Sequence, residues 1–241
     1  MSQEKLLVHR DTWKCKPILR VLYERWYRQI AEQLVEGTTL ELGGGTGNLK
    51  EFSPNVICTD IVNVPWLDAV VDAQFLPFKS NSLNNIVLFD VLHHIENPVL
   101  FFQEAERILC PGGRIVIVDP YVSLSSWFIY KYLHPEPVDF SQNPMEIVPR
   151  ARNRQPFDAN QAMSNLMFGK FLKDFKTKFS KLNLIDKRYI SFIVYPLSGG
   201  FENRSLIPYW MAKPLLKFET ALSFLGRLIA FRVLVVIEKR S

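Results

Sequence analysis

Ile18, Leu22, Trp26, Ile30 and Leu34 recur every four residues between Lys14 and Glu36, with charged and polar residues between them. That spacing sets an apolar stripe on one face of a helix and predicts a helix over 14–36, stopped by Gly37. Beyond it the pattern changes to short runs with no clean alternation. TTLELG (38–43), NVICTD (55–60), AVVDA (69–73), NNIVLFDVLHHI (84–95) and RIVIVDP (114–120) are apolar and rich in β-branched residues. Strands of a parallel sheet covered on both faces look like this, because both sides of each strand are buried. NLKEF (48–52) reads as the start of a helix after the first strand. Between the last two strands, PVLFFQEAERILC reads as a helix with Pro98 in its first turn and Asn97 as its cap, ended by Pro111-Gly112-Gly113.

Further along, Met163, Met167, Phe171, Phe175 and Phe179 return to helical spacing. DKRYISFIVYP (186–196) predicts a sixth strand. LIAFRVLVVIEKR (228–240) is too short and too charged to span a membrane, which makes it a seventh. Strands alternating with helices require right-handed crossovers. The expected fold is α/β: a Rossmann-like, doubly wound seven-stranded sheet, mostly parallel with an antiparallel last strand. Its ligand then lies at the carboxyl ends of the strands. The length of 241 residues suits one domain over 1–241. Segments 1–36, 121–160 and 197–227 depart from the minimal pattern and are expected to form a lid or insertions on the acceptor side.

Four glycines fall in LELGGGTGNL, directly after the first strand. The dinucleotide fingerprint GxGxxG fails here, because its third position is Asn48 from Gly43 and Lys50 from Gly45. The phosphate-binding GxxxxGK[ST] loop fails as well: no Lys-Ser or Lys-Thr pair follows any of these glycines. The sequence has instead Glu41-x-Gly43-x-Gly45-x-Gly47. This resembles the first motif of class I S-adenosylmethionine-dependent methyltransferases, an acid ahead of GxGxG. Asp60 at the end of the second strand, VDAQFLPF (71–78), FDVLHHIENP and RILCPGGRIVIVDP resemble that family's later segments in order. The resemblance is strong over about residues 38–120 and beyond them covers only the general topology.

The resemblance implies S-adenosylmethionine as cofactor, with S-adenosylhomocysteine as product. Gly43 and Gly45 would let the backbone approach it without a Cβ in the way, and Glu41 would face its cationic end. Asp60 would take the ribose hydroxyls, Asp72 and the amide of Ala73 the adenine edge, and Phe89 would border the adenine and methionine portions. Each also has a plain structural alternative: Glu41 pairing within the loop, Asp72 capping a turn, Phe89 as core.

Methyl transfer from a sulfonium is mainly a matter of positioning and of excluding water. A base is needed only when the acceptor carries a proton that must leave. His93 and His94 are the catalytic candidates, His94 aligning with the family's recurrent histidine in VLHH; a hydrogen bond to loop backbone is the alternative for His94. Asp90, Tyr121 and His134 are weaker candidates. No metal cluster is evident, and none is expected. The expected reaction is methylation of an O or N atom of a small-molecule acceptor, saccharide or lipid-linked. The alternatives are an RNA or protein methyltransferase and a non-catalytic S-adenosylmethionine-binding partner subunit. An NAD oxidoreductase is a third, since Asp60 would serve NAD equally well.

Charge changes the picture in one respect. Residues 1–120 hold 11 Lys and Arg against 15 Asp and Glu, whereas 121–241 hold 18 against 9, so the net +5 lies in the second half. A basic, aromatic C-terminal part suits peripheral membrane contact or an anionic acceptor; nucleic acid is not expected as a partner. It is equally read as a helix packed on the sheet with lysines at its edge. Three scattered cysteines and the absence of a secretory pattern at the N-terminus predict a cytoplasmic protein.

Overall fold

The computed structural model describes residues 2–53, 55–149 and 152–240. Two helices, α1 (Ser2–Cys15) and α2 (Pro17–Ala31), precede the sheet. Its strands are β1 (Thr39–Leu42), β2 (Val56–Asp60), β3 (Ala69–Val70), β4 (Leu83–Phe89), β5 (Leu109–Pro120), β6 (Leu182–Ile190) and β7 (Arg232–Lys239). They lie in the order β3-β2-β1-β4-β5-β7-β6, parallel except that β7 runs antiparallel to both β5 and β6. The fold is the Rossmann-like seven-stranded sheet expected from the sequence.

Both faces of the central strands are buried, which is why the sequence shows no alternation there. On β5, Ile115 and Ile117 face one core while Val116 and Val118 face the other, and β7 divides Val233, Val235 and Ile237 from Leu234 and Val236 in the same way. One core is closed by α3 (Pro98–Ile108), α5 (Met163–Asn165) and α6 (Leu172–Lys178), through Phe102, Met163 and Phe175. The other is closed by α2 and α8 (Tyr209–Ala221). In α2 the predicted stripe is buried at Ile18, Leu22, Trp26 and Ile30. Trp26 is 2% exposed, and truncating such a ring costs about 3–5 kcal/mol.

Several local readings change. NLKEF forms only a 3₁₀ turn, Asn48–Glu51, before β2 begins at Val56. Asn97 stands at the N-cap of α3 with Pro98 in the first turn, as expected, but its side chain makes no capping hydrogen bond. Its Oδ1 instead accepts the amide of Val148 at 2.7 Å and ties down the segment after α4 (Leu124–Tyr132). The predicted 163–182 helix is broken by a π turn over Leu166–Lys170 before α6. Residues 194–196, the end of the predicted strand 186–196, fall instead in α7 (Val194–Ser198), and α9 (Gly226–Ile229) leads into β7.

Candidate active site

Glycine supplies the conformations that the loop after β1 requires. Gly43, Gly45 and Gly47 have φ of +66°, +49° and +76°, the left-handed region that a Cβ disfavours. The loop is held from below and from the side. Gly44 donates its amide to the Thr59 carbonyl at 2.8 Å, Gly45 donates to Asp60 Oδ2 at 3.0 Å, and the Trp66 indole donates to the Gly45 carbonyl at 2.8 Å. A Cβ on Gly43 would stand 2.3 Å from Val91, whereas one on Gly45 would meet nothing closer than Leu6 of α1 at 3.6 Å. Gly43 therefore answers to tight packing, whereas the space beside Gly45 is bounded by Leu6 at ordinary contact distance.

The three predicted acids sit at the carboxyl ends of three neighbouring strands. Glu41, near the end of β1, is buried and accepts the Cys58 thiol at 2.8 Å. Burial pushes its carboxyl up to about 7, with the charge of Asp60 adding to the effect. Asp60 ends β2, also raised by burial, and accepts the amides of Gly45 and Val62. Asp72, just past β3, is half-buried and accepts the backbone amide of Gln74 at 2.9 Å; Ala73, beside it, is half-buried too. The ring of Phe89 stacks on Tyr23 at 5.1 Å and meets Trp26 and Tyr27 edge-on. The ring belongs to the α2 core, which leaves the backbone of Phe89 to border any ligand.

At the tip of β4 the chain turns through Asp90, whose φ of +55° is rare for a residue with a side chain. Arg232 fixes it with two bonds, Nε to Oδ1 at 2.9 Å and Nη2 to Oδ2 at 2.6 Å. The guanidinium is buried and also covers the Tyr195 ring at 3.8 Å. Asp90 is thus engaged structurally. Tyr121 lies on the far side of β5, ring to ring with Tyr189 at 4.7 Å, its hydroxyl pushed up to about 12 by burial.

Next comes the 3₁₀ turn Leu92–His94, where the two histidines diverge in character. His93 is buried, with Nδ1 at 2.8 Å from Asp119 Oδ1 and Nε2 at 3.5 Å from Glu136 Oε2. Burial alone would push its imidazole down, but Asp119 and then Glu136 outweigh it and hold it at about 10. Glu136 would likewise be raised by burial, and His93 pulls it down to about 2. The side-chain amide of Gln161 also donates to Glu136, and the Ser164 hydroxyl donates to Asp119 at 2.8 Å. His94, its ring 4.1 Å from that of His93, is pushed down to about 3 by burial and by the neighbouring charge. Its Nδ1 faces the Asp158 carbonyl at 3.3 Å. That contact needs a proton on Nδ1 and leaves Nε2 with a lone pair. His134 stands at the edge, its Nδ1 4.0 Å from Glu136.

Asp119, Glu136 and Arg232 were not singled out from the sequence. The one available signal was an acid ending a strand in RIVIVDP; Glu136 and Arg232 lie far along the chain from the histidine turn and from Asp90. His93, His94 and Glu136 each bring a donor atom within 4.8 Å of one another, a grouping that a metal ion could occupy. Of the three, His93 and Glu136 also pair directly, at 3.5 Å, and His94 faces the Asp158 carbonyl.

Helix α1 lies across the glycine loop. Besides Leu6 over Gly45, Arg10 covers the Trp66 ring at 4.6 Å, Lys5 the Phe157 ring at 4.7 Å, and His9 stacks on Phe201 at 4.7 Å. The first helix thereby touches both of the other segments that depart from the minimal pattern.

A methyltransferase domain family pattern matches residues 17–167, a stretch that contains every strand tip described above and Glu136. The ubiquinone/menaquinone biosynthesis C-methyltransferase of Coxiella burnetii is 29% identical over 124 residues, covering 39% of this chain and 49% of that protein. An uncharacterized protein of Methanocaldococcus jannaschii is 27% identical over 105 residues, covering 40% and 51%. The chain spans about half the length of the curated relatives it matches. Among solved structures, a candidate methyltransferase of Bacillus halodurans is similar with a TM-score of 0.51 and 19% identity, over 90% of this chain and 98% of that one.

Proposed function

This chain belongs to the methyltransferase domain family, of the class I S-adenosylmethionine-dependent type, and on that premise we propose that it methylates an O or N atom of a small-molecule acceptor, saccharide or lipid-linked. One observation carries the reading: Gly45, whose missing Cβ leaves Leu6 of α1 as the nearest side chain at 3.6 Å, donates its amide to Asp60, at the tip of the neighbouring strand. That pairing sets a carboxylate for a diol beside a backbone that a ligand can approach without meeting a Cβ. The surroundings fit an adenosyl sulfonium. Glu41, Asp60 and Asp72 offer acids at three strand tips, where a pyrophosphate would be repelled.

S-adenosylmethionine, when bound, supplies an activated methyl group on a sulfonium. Gly45 would admit it, Asp60 would hold the ribose hydroxyls, and Asp72 with the Ala73 amide would hold the adenine edge. Glu41, with its carboxyl near 7, would gain its full charge against the cationic end. α1, the Phe157 segment and the Phe201 segment would form the cover that excludes water, since α1 reaches the loop through Leu6 and touches Phe157 and Phe201 through Lys5 and His9.

The histidine turn divides its labour. His93 keeps its proton between two carboxylates, which makes it a fixed positive charge rather than a base. His94 presents an unprotonated Nε2 that can accept a hydrogen bond from an acceptor's O–H or N–H and orient it. With its basicity so reduced it positions the nucleophile more than it removes the proton. We infer a cytoplasmic setting from the three scattered cysteines; separately, among the described residues no helix is long and apolar enough to cross a membrane.

A carbon acceptor is the second reading, favoured by the match to the C-methyltransferase of Coxiella burnetii. Calorimetry with S-adenosylhomocysteine, followed by product assays on sugar, lipid-linked and quinol-type acceptors, tests both. Binding together with turnover of an O- or N-acceptor is expected. Turnover of carbon acceptors alone would replace the first reading with the second, and protection by NADH in place of S-adenosylhomocysteine would overturn both.

A further inference from the structure

Helix α4 connects Asp119, at the end of β5, to Glu136, and it turns an apolar surface outward. Leu124 is 80% exposed, and Phe128, Tyr132 and Leu133 are also open to solvent. α4 seats against α9, with the Ser125 hydroxyl donating to the Ile229 carbonyl at 3.1 Å. This brings in Phe224, 79% exposed, and the exposed Leu228. Phe218 continues the strip onto α8, and Trp210, 74% exposed, stands at the start of that helix. Soluble surfaces rarely leave so many large apolar groups together.

The charges on these segments share one sign. Residues 121–133 carry Lys131 and no acid; residues 203–231 carry Arg204, Lys213, Lys217 and Arg227, with Glu219 as their acid. Glu219 is 3% exposed and is spent on the backbone amides of Ile193 and Val194. Every exposed ionised side chain on them is therefore basic. Protein interfaces mix signs and deplete lysine. Aromatic rings flanked by long basic side chains, whose stems lie along apolar surface while the heads reach outward, fit the boundary of a bilayer with anionic headgroups.

We propose that α4, α9 and the outer face of α8 dock this protein on the surface of an anionic lipid bilayer. The docking lies on the surface and spans nothing. It follows from exposure and charge alone and does not depend on the methyl-transfer reading. It sets the chain between Asp119 and Glu136, and with it the histidine turn, beside the membrane.

Co-sedimentation of the full chain with vesicles tests the proposal. Vesicles of phosphatidylcholine with phosphatidylglycerol are expected to carry the protein down, and phosphatidylcholine alone to carry it at least about tenfold less. Added salt should release it, and the tryptophan emission should shift to the blue on binding. The triple variant Leu124→Ser, Phe128→Ser, Phe224→Ser should stay in the supernatant with its unfolding temperature unchanged. Lys213→Glu with Lys217→Glu should weaken binding by about tenfold or more. The proposal is overturned if the full chain ignores anionic vesicles, or if the charge reversal sediments like the parent. It is equally overturned if light scattering finds a dimer that the triple variant abolishes while the parent binds no lipid.

Discussion

Nδ1 of His93 stands 2.8 Å from Oδ1 of Asp119, with both side chains buried and Glu136 on the opposite side of the ring. An imidazole so placed holds its proton more tightly in the folded chain than in the unfolded one, where its value is about 6.5. The stability it contributes is complete below that value and is lost as pH rises through about 10. Asp119→Asn should cost about 3 kcal/mol near neutrality, because it strands a buried charge. Chemical denaturation from pH 6 to 10 checks this; the gap between parent and variant should narrow as pH climbs, and a constant gap would show that the pairing is not ionic.

Glu41 runs the other way in its chemistry but not in its sign. Its carboxyl is raised by burial to about 7, so stability present at acid pH is lost between about 4.5 and 7 as the buried group ionises. Glu41→Gln should therefore unfold like the parent at pH 4 and be more stable above pH 7, by up to about 3 kcal/mol. The same variant should bind S-adenosylmethionine more weakly. Thermal scans across pH, paired with calorimetry, read both effects; a variant less stable at pH 8 would refute the assignment.

Gly45→Val and Gly43→Ala separate ligand space from packing space. The first places its side chain beside Leu6 of α1, which must shift to admit it, and adds the strain of a positive φ, about 1–2 kcal/mol. It should remain folded and lose at least about a hundredfold in affinity for S-adenosylhomocysteine, or about 2.7 kcal/mol. The second drives a methyl group to within 2.3 Å of Val91 and should lower the unfolding temperature outright. Equal affinity of Gly45→Val and the parent would move the cofactor away from this loop.

His94→Ala should lower turnover by about a hundredfold while the affinity for S-adenosylhomocysteine stays close to that of the parent. Because its imidazole is already neutral near pH 7, the parent's rate should show no inflection between pH 5 and 8 assignable to His94. A turnover unchanged by the substitution would reduce His94 to its bond with the Asp158 carbonyl.

The sequence by itself determined the sheet and the order of its chemistry. Strands buried on both faces betray themselves by unbroken apolar runs, as Ile115 to Val118 do. A turn that needs positive φ betrays itself by glycine, and acids at strand ends fall in register because the strands are parallel neighbours. These are local demands, written where they act. What only the tertiary structure decided was pairing across distance: Asp119 and Glu136 on either side of His93, Arg232 clamping Asp90, Leu6 over Gly45. Two neighbouring histidines read alike in the chain. Burial between two carboxylates charges one, and burial beside that charge keeps the other neutral, because the free energy of a proton depends on the groups that folding brings around it.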